Sequence, residues 1–284
     1  MNNIDISWLD INKIVEIIEL ASQIVLQIYL TDSYFIENKV DNSPLTIADK
    51  KANDFICSEL LSIYPHIPII SEENKNDDWE KRKKYSWAWF IDPVDGTKEF
   101  IKKNGEFTVN IGLVYNGTPV AGFVGIPAKG LIYWGICSGN CRESGSSGSS
   151  GNEDGAWMKS INDDKIINII ELHKNKIISN NKKKRVVASR SHIDEKTKKY
   201  IDSLGNIDLI NVGSSIKILW IAENKADIYP RIGPTMEWDT CAAHAILKAA
   251  GGNISIYTEN NTENEELKYN KENLLNPYFI AKFK

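Results

Sequence analysis

The stretch Trp89-Phe90-Ile91-Asp92-Pro93-Val94-Asp95-Gly96-Thr97-Lys98-Glu99-Phe100 decides the fold. Four apolar residues, Ala88 to Ile91, run straight into a pair of carboxylates and then a Gly-Thr step. A short apolar run bounded by turn residues reads as a buried strand that ends in a functional turn. Pro93 fixes its own φ and lacks an amide donor, so Asp92 and Asp95 sit in a rigid corner. With the Val94 carbonyl between them, the two acids offer hard oxygen donors of the kind Mg²⁺ takes, water and phosphate completing its octahedron. Gly96 and Thr97 then open a helix or tight turn whose free amides would face an anion. The competing reading is an ordinary Asp-Gly turn carrying two surface acids.

Downstream, Gly105 to Tyr115 alternates apolar and polar residues, Asn116-Gly117 is a hairpin signal, and Thr118 to Ile126 reads as the partner strand. Leu131 to Ile136 continues the pattern, so this sheet is built from hairpins rather than βαβ repeats. Upstream, apolar residues recur at helical spacing from Trp8 to Leu30, and an extended piece is expected to run through Val40. A second helix, capped by Ser43 or Thr46, runs to about Tyr64. Asp49 in its first turn is fully explained by the helix dipole. A short strand, Ile69-Ile70, ends in Ser71-Glu72-Glu73, an acid pair either solvated or drawn to a cation. Asn74 to Tyr85 reads as an exposed, charged loop or short helix.

Ser144 to Gly151 is a Ser/Gly run, and the hydrophobic pattern resumes only near Ile166. The expected organisation is therefore an N-terminal α+β half over 1–143, a flexible insertion over 144–165, and a C-terminal α/β half over 166–284. In that second half, strands are expected at Arg185–Ser189, Ile207–Val212, Ala226–Tyr229, Ile254–Tyr257 and Phe279–Phe283. Helices are expected at Asp194–Leu204 and Ile216–Glu223, the latter entered through Gly213-Ser214-Ser215 with Lys217 in its first turn. A third begins at Asp239, whose plain reading is an N-cap, presents a small-residue face, and closes at Gly251-Gly252.

The bulk numbers describe a soluble globular chain: 284 residues, 42% hydrophobic, 25% charged, net charge -4. The charge gives no case for nucleic-acid or membrane binding, and Lys81–Lys84 and Lys182–Arg185 read as solvated loops. No secretory signal is visible and no apolar run approaches the roughly 18 residues of a membrane span, so a cytoplasmic protein is expected. Cys57, Cys137, Cys141 and Cys241 form no zinc framework and are expected as unpaired thiols.

Glu72, Asp92, Asp95 and Asp239 each fall where a strand meets a turn or a helix begins. Glu-Glu, then Asp-Pro-Val-Asp-Gly-Thr, then Trp238-Asp239 with Ala242-Ala243 and a closing Ala250-Gly251-Gly252, resembles the Mg²⁺-dependent, lithium-sensitive inositol monophosphatase superfamily. Within it, Lys98-Glu99-Phe100-Ile101-Lys102, Asn104-Gly105-Glu106-Phe107-Thr108 and Asn42-Ser43-Pro44-Leu45-Thr46 are similar to the bacterial 3′(2′),5′-bisphosphate nucleotidases. So are Ser189-Arg190-Ser191-His192, Gly213-Ser214-Ser215 with Lys217, and Tyr229-Pro230-Arg231 with Gly233-Pro234-Thr235. The likeness spans nearly the whole chain; residues 139–164 depart from it as an apparent insertion.

The resemblance implies an α/β (α+β) architecture, the layered α/β/α/β/α sugar-phosphatase fold, with metals between the halves. It implies two to three Mg²⁺ ions held by Glu72, Asp92, the Val94 carbonyl, Asp95 and Asp239. Asp49 and Thr97, with Glu72, are implied to activate water. Gly96, Thr97, His192, Ser214, Lys217 and Arg231 are implied to meet the substrate, and two cations suit a second phosphate. The expected activity is removal of the 3′-phosphate from adenosine 3′,5′-bisphosphate, with the 3′-phosphorylated sulfate donor as a further substrate. The expected partner is that small nucleotide, with no nucleic acid and no membrane, on a monomer or homodimer. The alternatives are an inositol monophosphatase or broad sugar phosphatase, and a silent nucleotide-binding protein.

Overall fold

The computed structural model describes residues 4–31, 36–38, 44–139, 154–174, 183–190, 194–258 and 265–283. Helix α1 (Ile11–Leu30) starts at Asp10, whose carboxylate accepts the Lys13 amide at 3.0 Å. After a small ladder of β1 (Ile36–Asn38) and β2 (Pro44–Thr46), Thr46 caps α2 (Ile47–Ile63). Then follow β3 (Ile69–Ser71), α3 (Trp79–Arg82), β4 (Trp87–Asp95), α4 (Thr97–Ile101), and the hairpin of β5 (Thr108–Tyr115) and β6 (Thr118–Ile126). Strands β7 (Leu131–Ile136), β8 (Gly155–Ser160) and β9 (Asp163–Asn168) complete a seven-stranded sheet in sequence order. It is antiparallel except where β3 pairs with β4.

After α5 (Ile169–Lys174), the chain forms β10 (Lys184–Ser189), α6 (Glu195–Ser203), β11 (Ile207–Val212), α7 (Ile216–Ala222), β12 (Ile228–Arg231), α8 (Glu237–Ala249), β13 (Gly252–Ile256) and β14 (Phe279–Phe283). These five strands make a second sheet, ordered β11-β10-β12-β14-β13, with β10 parallel to both neighbours. Among the described residues no helix is long and apolar enough to cross a membrane.

Five layers stack in the α/β/α/β/α arrangement that the resemblance implies, one apolar core spanning the middle three and two more lying outside the sheets. Alternate residues of β4 point to opposite faces. Trp89 and Ile91 pack with Ile14, Ile18 and Ile56 of α1 and α2, whereas Phe90 packs with Leu219 and Ile246 of α7 and α8. Helices α7 and α8 thus fill the space between the sheets, where Phe279 of the second sheet joins the same core. Outside that sheet, Ile201 of α6 covers Val186, Ala188 and Ile280.

Helix α8 comes unusually close to the first sheet. Gly112, Gly122 and Gly135 are cross-strand partners on β5, β6 and β7. A Cβ at Gly112 would stand 2.5 Å from Cys241 Sγ, one at Gly135 2.6 Å from Ile246 Cα, and one at Gly122 nearer still to the Ala242 carbonyl. This flat glycine track lets the small-residue face of α8 lie on the strands, which determines where its N-terminus ends up.

Five expectations need correction. Residues 155–165, read as part of a flexible insertion, and 166–168, read as the start of the C-terminal half, pair as a hairpin on β7; Asp163 to Lys165 is too polar to betray an edge strand. The run 144–151 lies outside the described residues. Arg82 is buried, its guanidinium donating to the carbonyls of Lys271 and Glu272. Of the second basic run, Lys184 joins β10, and Arg185, which opens the expected strand, is not a solvated cation but pairs with Asp227 at 2.6 Å. Asp239 is the third residue of α8, not its cap, since the helix starts at Glu237. Cys137 is disulfide-bonded, while Cys57 and Cys241 are free and Cys141 lies outside the described residues; residue type and spacing carry no marker of redox state.

Candidate active site

The β4 strand ends in a bulge: Asp92 pairs with Asn110 but Asp95 with Thr108, so Pro93 and Val94 bend out of the ladder. Asp92 is buried and accepts its own Val94 amide at 3.1 Å. Gly96 follows at φ +92, a left-handed conformation open to glycine at little cost, and turns the chain into α4. The carbonyl of Val94 and the hydroxyl of Thr97 end 3.2 Å apart.

Asp49 and Asp239 arrive by the same local device on two helices. Each is the third helical residue and reaches back to the cap amide: Asp49 Oδ2 accepts Thr46 N–H at 2.8 Å, and Asp239 Oδ2 accepts Met236 N–H at 2.9 Å. Thr46 also donates its hydroxyl to Asp49 Oδ2 at 2.5 Å. The free oxygen of Asp49, Oδ1, faces the Thr97 hydroxyl at 3.5 Å. Glu72 is carried by the turn after β3, where Ser71 is anchored through Asn53 of α2 at 2.7 Å.

Glu72, Asp95 and Asp239 share one cavity of about 400 Å³. Its lining combines Glu72, Asp95, Gly96, Thr97 and Asp239 with Ser214, Lys217 and Arg231. Asp49, Asp92 and Val94 do not line it; they stand behind the wall, reaching it through Thr97 and Asp95. His192 lies outside the described residues. Sequence reasoning gave no role to Glu99, Ser215 or Tyr229, which also line the cavity. Tyr229 could have been found, because residues 229 and 231 are two apart on a strand and share its face.

Electrostatics sharpen the contrast of acids and cations. Burial pushes the Asp92 carboxyl well up, and Glu72, Asp95 and Asp239 add to the rise. Asp239 is raised by burial and then by Asp95 and Glu72. Asp95 rises to about 6 through burial, although Lys217 and the Ser215 amide oppose it. Asp49 also rises to about 6, burial outweighing its bonds from Thr46. Burial lowers Lys217 to about 8 against the pull of Asp95. Its ammonium donates to the Ser214 carbonyl at 2.6 Å and stands 5.5 Å from the centre of the Tyr229 ring. Arg231 donates to the Pro234 carbonyl at 2.7 Å. Among the described residues no three His, Cys, Asp or Glu side chains are already closed around a point as a metal cage. What stands out is crowded, buried carboxylate charge made only of hard oxygen donors.

A phosphatase-type cavity of acids against cations, on two sheets interleaved with three helical layers, is the class of site this fold presents. The chain belongs to the inositol monophosphatase family, whose sequence model matches residues 10–282. It is 35% identical over 271 residues to the 3′(2′),5′-bisphosphate nucleotidase CysQ of Escherichia coli K12, covering 95% of this chain and 98% of that protein. It is 38% identical over 242 residues to the CysQ of Salmonella typhimurium, covering 85% and 86%. The crystal structure of CysQ from Bacteroides thetaiotaomicron, a bacterial member of the family, superposes with a TM-score of 0.74 at 39% identity, over 96% of this chain and 97% of that one.

Proposed function

We propose that this chain removes the 3′-phosphate of adenosine 3′,5′-bisphosphate, leaving AMP and phosphate, with the help of two to three Mg²⁺ ions. The observation that carries the reading is the lining of the cavity, which brings Glu72, Asp95 and Asp239 together with Lys217 and Arg231. The names of the relatives at 35% and 38% identity support the same substrate class.

The donor set suits a hard divalent cation. Buried carboxylates that raise one another's pKa are stabilised by a positive ion. Glu72, Asp92, the Val94 carbonyl, Asp95 and Asp239 are the groups that would hold Mg²⁺. When bound, the ions polarise phosphoryl oxygens and lower the pKa of a water.

The chain's own residues supply the rest. Asp49 Oδ1 accepts the Thr97 hydroxyl, and as that proton passes to Asp49 the Thr97 oxygen takes one from the attacking water it orients. Thr46 occupies the other carboxylate oxygen and so fixes which one is free. Gly96 and Thr97 amides meet the scissile phosphoryl group, and Ser214, Lys217, Arg231 and His192 the remainder of the nucleotide. The 3′-phosphorylated sulfate donor is a further substrate in this reading, and the enzyme acts in the cytoplasm as a monomer or homodimer.

One observation favours a single-phosphate substrate instead: the Lys217 ammonium is buried and already donates to the Ser214 carbonyl. Phosphate release from adenosine 3′,5′-bisphosphate and inositol 1-phosphate, side by side with Mg²⁺ and then Li⁺, separates the readings. Preference for the nucleotide and inhibition by Li⁺ are expected. Preference for the inositol ester discards the pocket assignment, and no release from either leaves a silent binding protein.

A further inference from the structure

Glu106 precedes β5, and its side chain crosses from the first sheet's half of the molecule to the second's. Its carboxylate receives Arg190 in two prongs, Nε to Oε2 at 2.8 Å and Nη2 to Oε1 at 2.7 Å. Oε2 also accepts the Gly213 amide at 2.9 Å. Arg190, just after β10, spends a further bond on the Asn211 carbonyl at 2.8 Å. A solvated ion pair needs no such third and fourth partners, and one that is merely superficial contributes little. Here the fork ties an acid of the first half to two loops of the second, and forked Arg–carboxylate pairs set direction as well as distance.

The main chain of the same residue packs against two glycine turns that both contribute to the cavity lining. A Cβ at Gly96 would meet the Glu106 carbonyl at 3.1 Å and Ser214 Cβ at 3.3 Å. A Cβ at Gly213 would meet that same carbonyl at 2.7 Å. Gly96 leads into Thr97, while Gly213 leads into Ser214 and Lys217. Ser214 itself sits at φ +49, a conformation its neighbours must enforce. Glu106 therefore packs against both lining turns, and Arg190 holds it there.

We propose that Glu106 and Arg190 form a positioning pair that sets substrate specificity, holding the Gly213-Ser214 turn at the separation from Gly96 that fits a substrate with a second phosphate. Neither residue touches the reacting atoms; the pair acts through Ser214 and Lys217. This rests on the bisphosphate reading above.

The test compares Arg190→Gln, Glu106→Gln and the reversed pair Glu106→Arg/Arg190→Glu with the unaltered enzyme. Arg190 is half exposed, so its replacement leaves the cores intact, and Gln at 106 can still accept the Gly213 amide. Steady-state rates are measured with Mg²⁺ on adenosine 3′,5′-bisphosphate and on p-nitrophenyl phosphate, which has one phosphate. In the single variants KM for the bisphosphate rises roughly tenfold, equivalent to about 1.4 kcal/mol, while its kcat and the rates on p-nitrophenyl phosphate hold within about threefold. The reversed pair restores the charge pairing but neither the Gly213 nor the Asn211 bond, since arginine has no acceptor and glutamate no donor, so its KM for the bisphosphate stays raised. Equal losses on both substrates, or an unmoved bisphosphate KM, overturn the role of the pair while leaving the substrate reading intact. An unaltered enzyme that cleaves p-nitrophenyl phosphate but not the bisphosphate overturns the substrate reading and the specificity role with it.

Discussion

The Thr97 hydroxyl stands 3.5 Å from Asp49 Oδ1, while Thr46 engages Oδ2 of the same carboxylate through both its amide and its hydroxyl. One oxygen of Asp49 is therefore structural and the other is left for chemistry. Asp49→Asn keeps an acceptor for the cap amide but removes the base. Turnover is expected to fall roughly a thousandfold, within the range for a lost general base, with nucleotide binding by calorimetry nearly unchanged. A matching loss of binding would sink the role given to Asp49.

The glycine track under α8 makes a second prediction. A methyl at Gly122 has nowhere to go but into the main chain of Ala242, so Gly122→Ala must lift the helix. Overpacking of this kind costs about 1–3 kcal/mol, to be read from urea unfolding. Because α8 carries Asp239 at its N-terminus, Mg²⁺ binding by calorimetry should weaken in the folded variant as well. Full stability in Gly122→Ala would mean that the approach is looser than the register implies.

Much of this architecture is legible in the residues, and what is missed has a common cause. Local chemistry announces itself: Asn116-Gly117 turns the β5–β6 hairpin, Thr46 caps α2, and the Asp-Pro-Val-Asp-Gly-Thr run ends β4 in its bulge. Relations across the fold do not. Nothing in the order of residues says that Gly112, Gly122 and Gly135 are paired on three strands, or that Arg82 meets a segment 189 residues away. The acids of the site divide in the same way. Their identity and their places at strand ends and helix starts can be read off, but their depth cannot: Asp95 and Asp239 line the cavity, whereas Asp92 and Asp49 stand behind it.

Arg82 is the anchor of that distant segment. Its guanidinium donates to the Asp77, Lys271 and Glu272 carbonyls and to Asn270 Oδ1. The amides of Asn270 and Lys271 go on to the buried carboxylate of Glu237, which opens α8. Arg82→Ala removes the donor shared by these carbonyls and Asn270 and loosens the segment that holds Glu237, a loss expected at about 3 kcal/mol. Arg82→Lys should recover little of it, because one ammonium cannot reproduce a planar fork. Guanidinium unfolding of both variants checks this; a Lys variant as stable as the unaltered protein would refute it.

His244 makes stability depend on pH. The ring is buried within α8, with Nδ1 2.9 Å from the Tyr269 hydroxyl and Nε2 3.1 Å from Asn253 Oδ1. Burial lowers its pKa from 6.5 to about 4, although Glu266 at 3.6 Å and the Asn253 bond pull upward and Lys248 and Lys268 push it down. The unfolded chain thus binds a proton near the ordinary histidine pKa that the folded chain refuses until far lower pH. This contribution is complete above 6.5 and is lost as pH falls towards 4, by at most about 1.4 kcal/mol per pH unit. The buried carboxylates Asp49 and Asp95, raised to about 6, act in the opposite sense over the same window, so the whole-protein curve mixes the two. Comparison with His244→Gln isolates the histidine: between about pH 7 and about pH 5 the urea midpoint of the unaltered protein should fall relative to that of the variant. Parallel curves would mean that His244 takes up its proton in the folded state as readily as in the unfolded one.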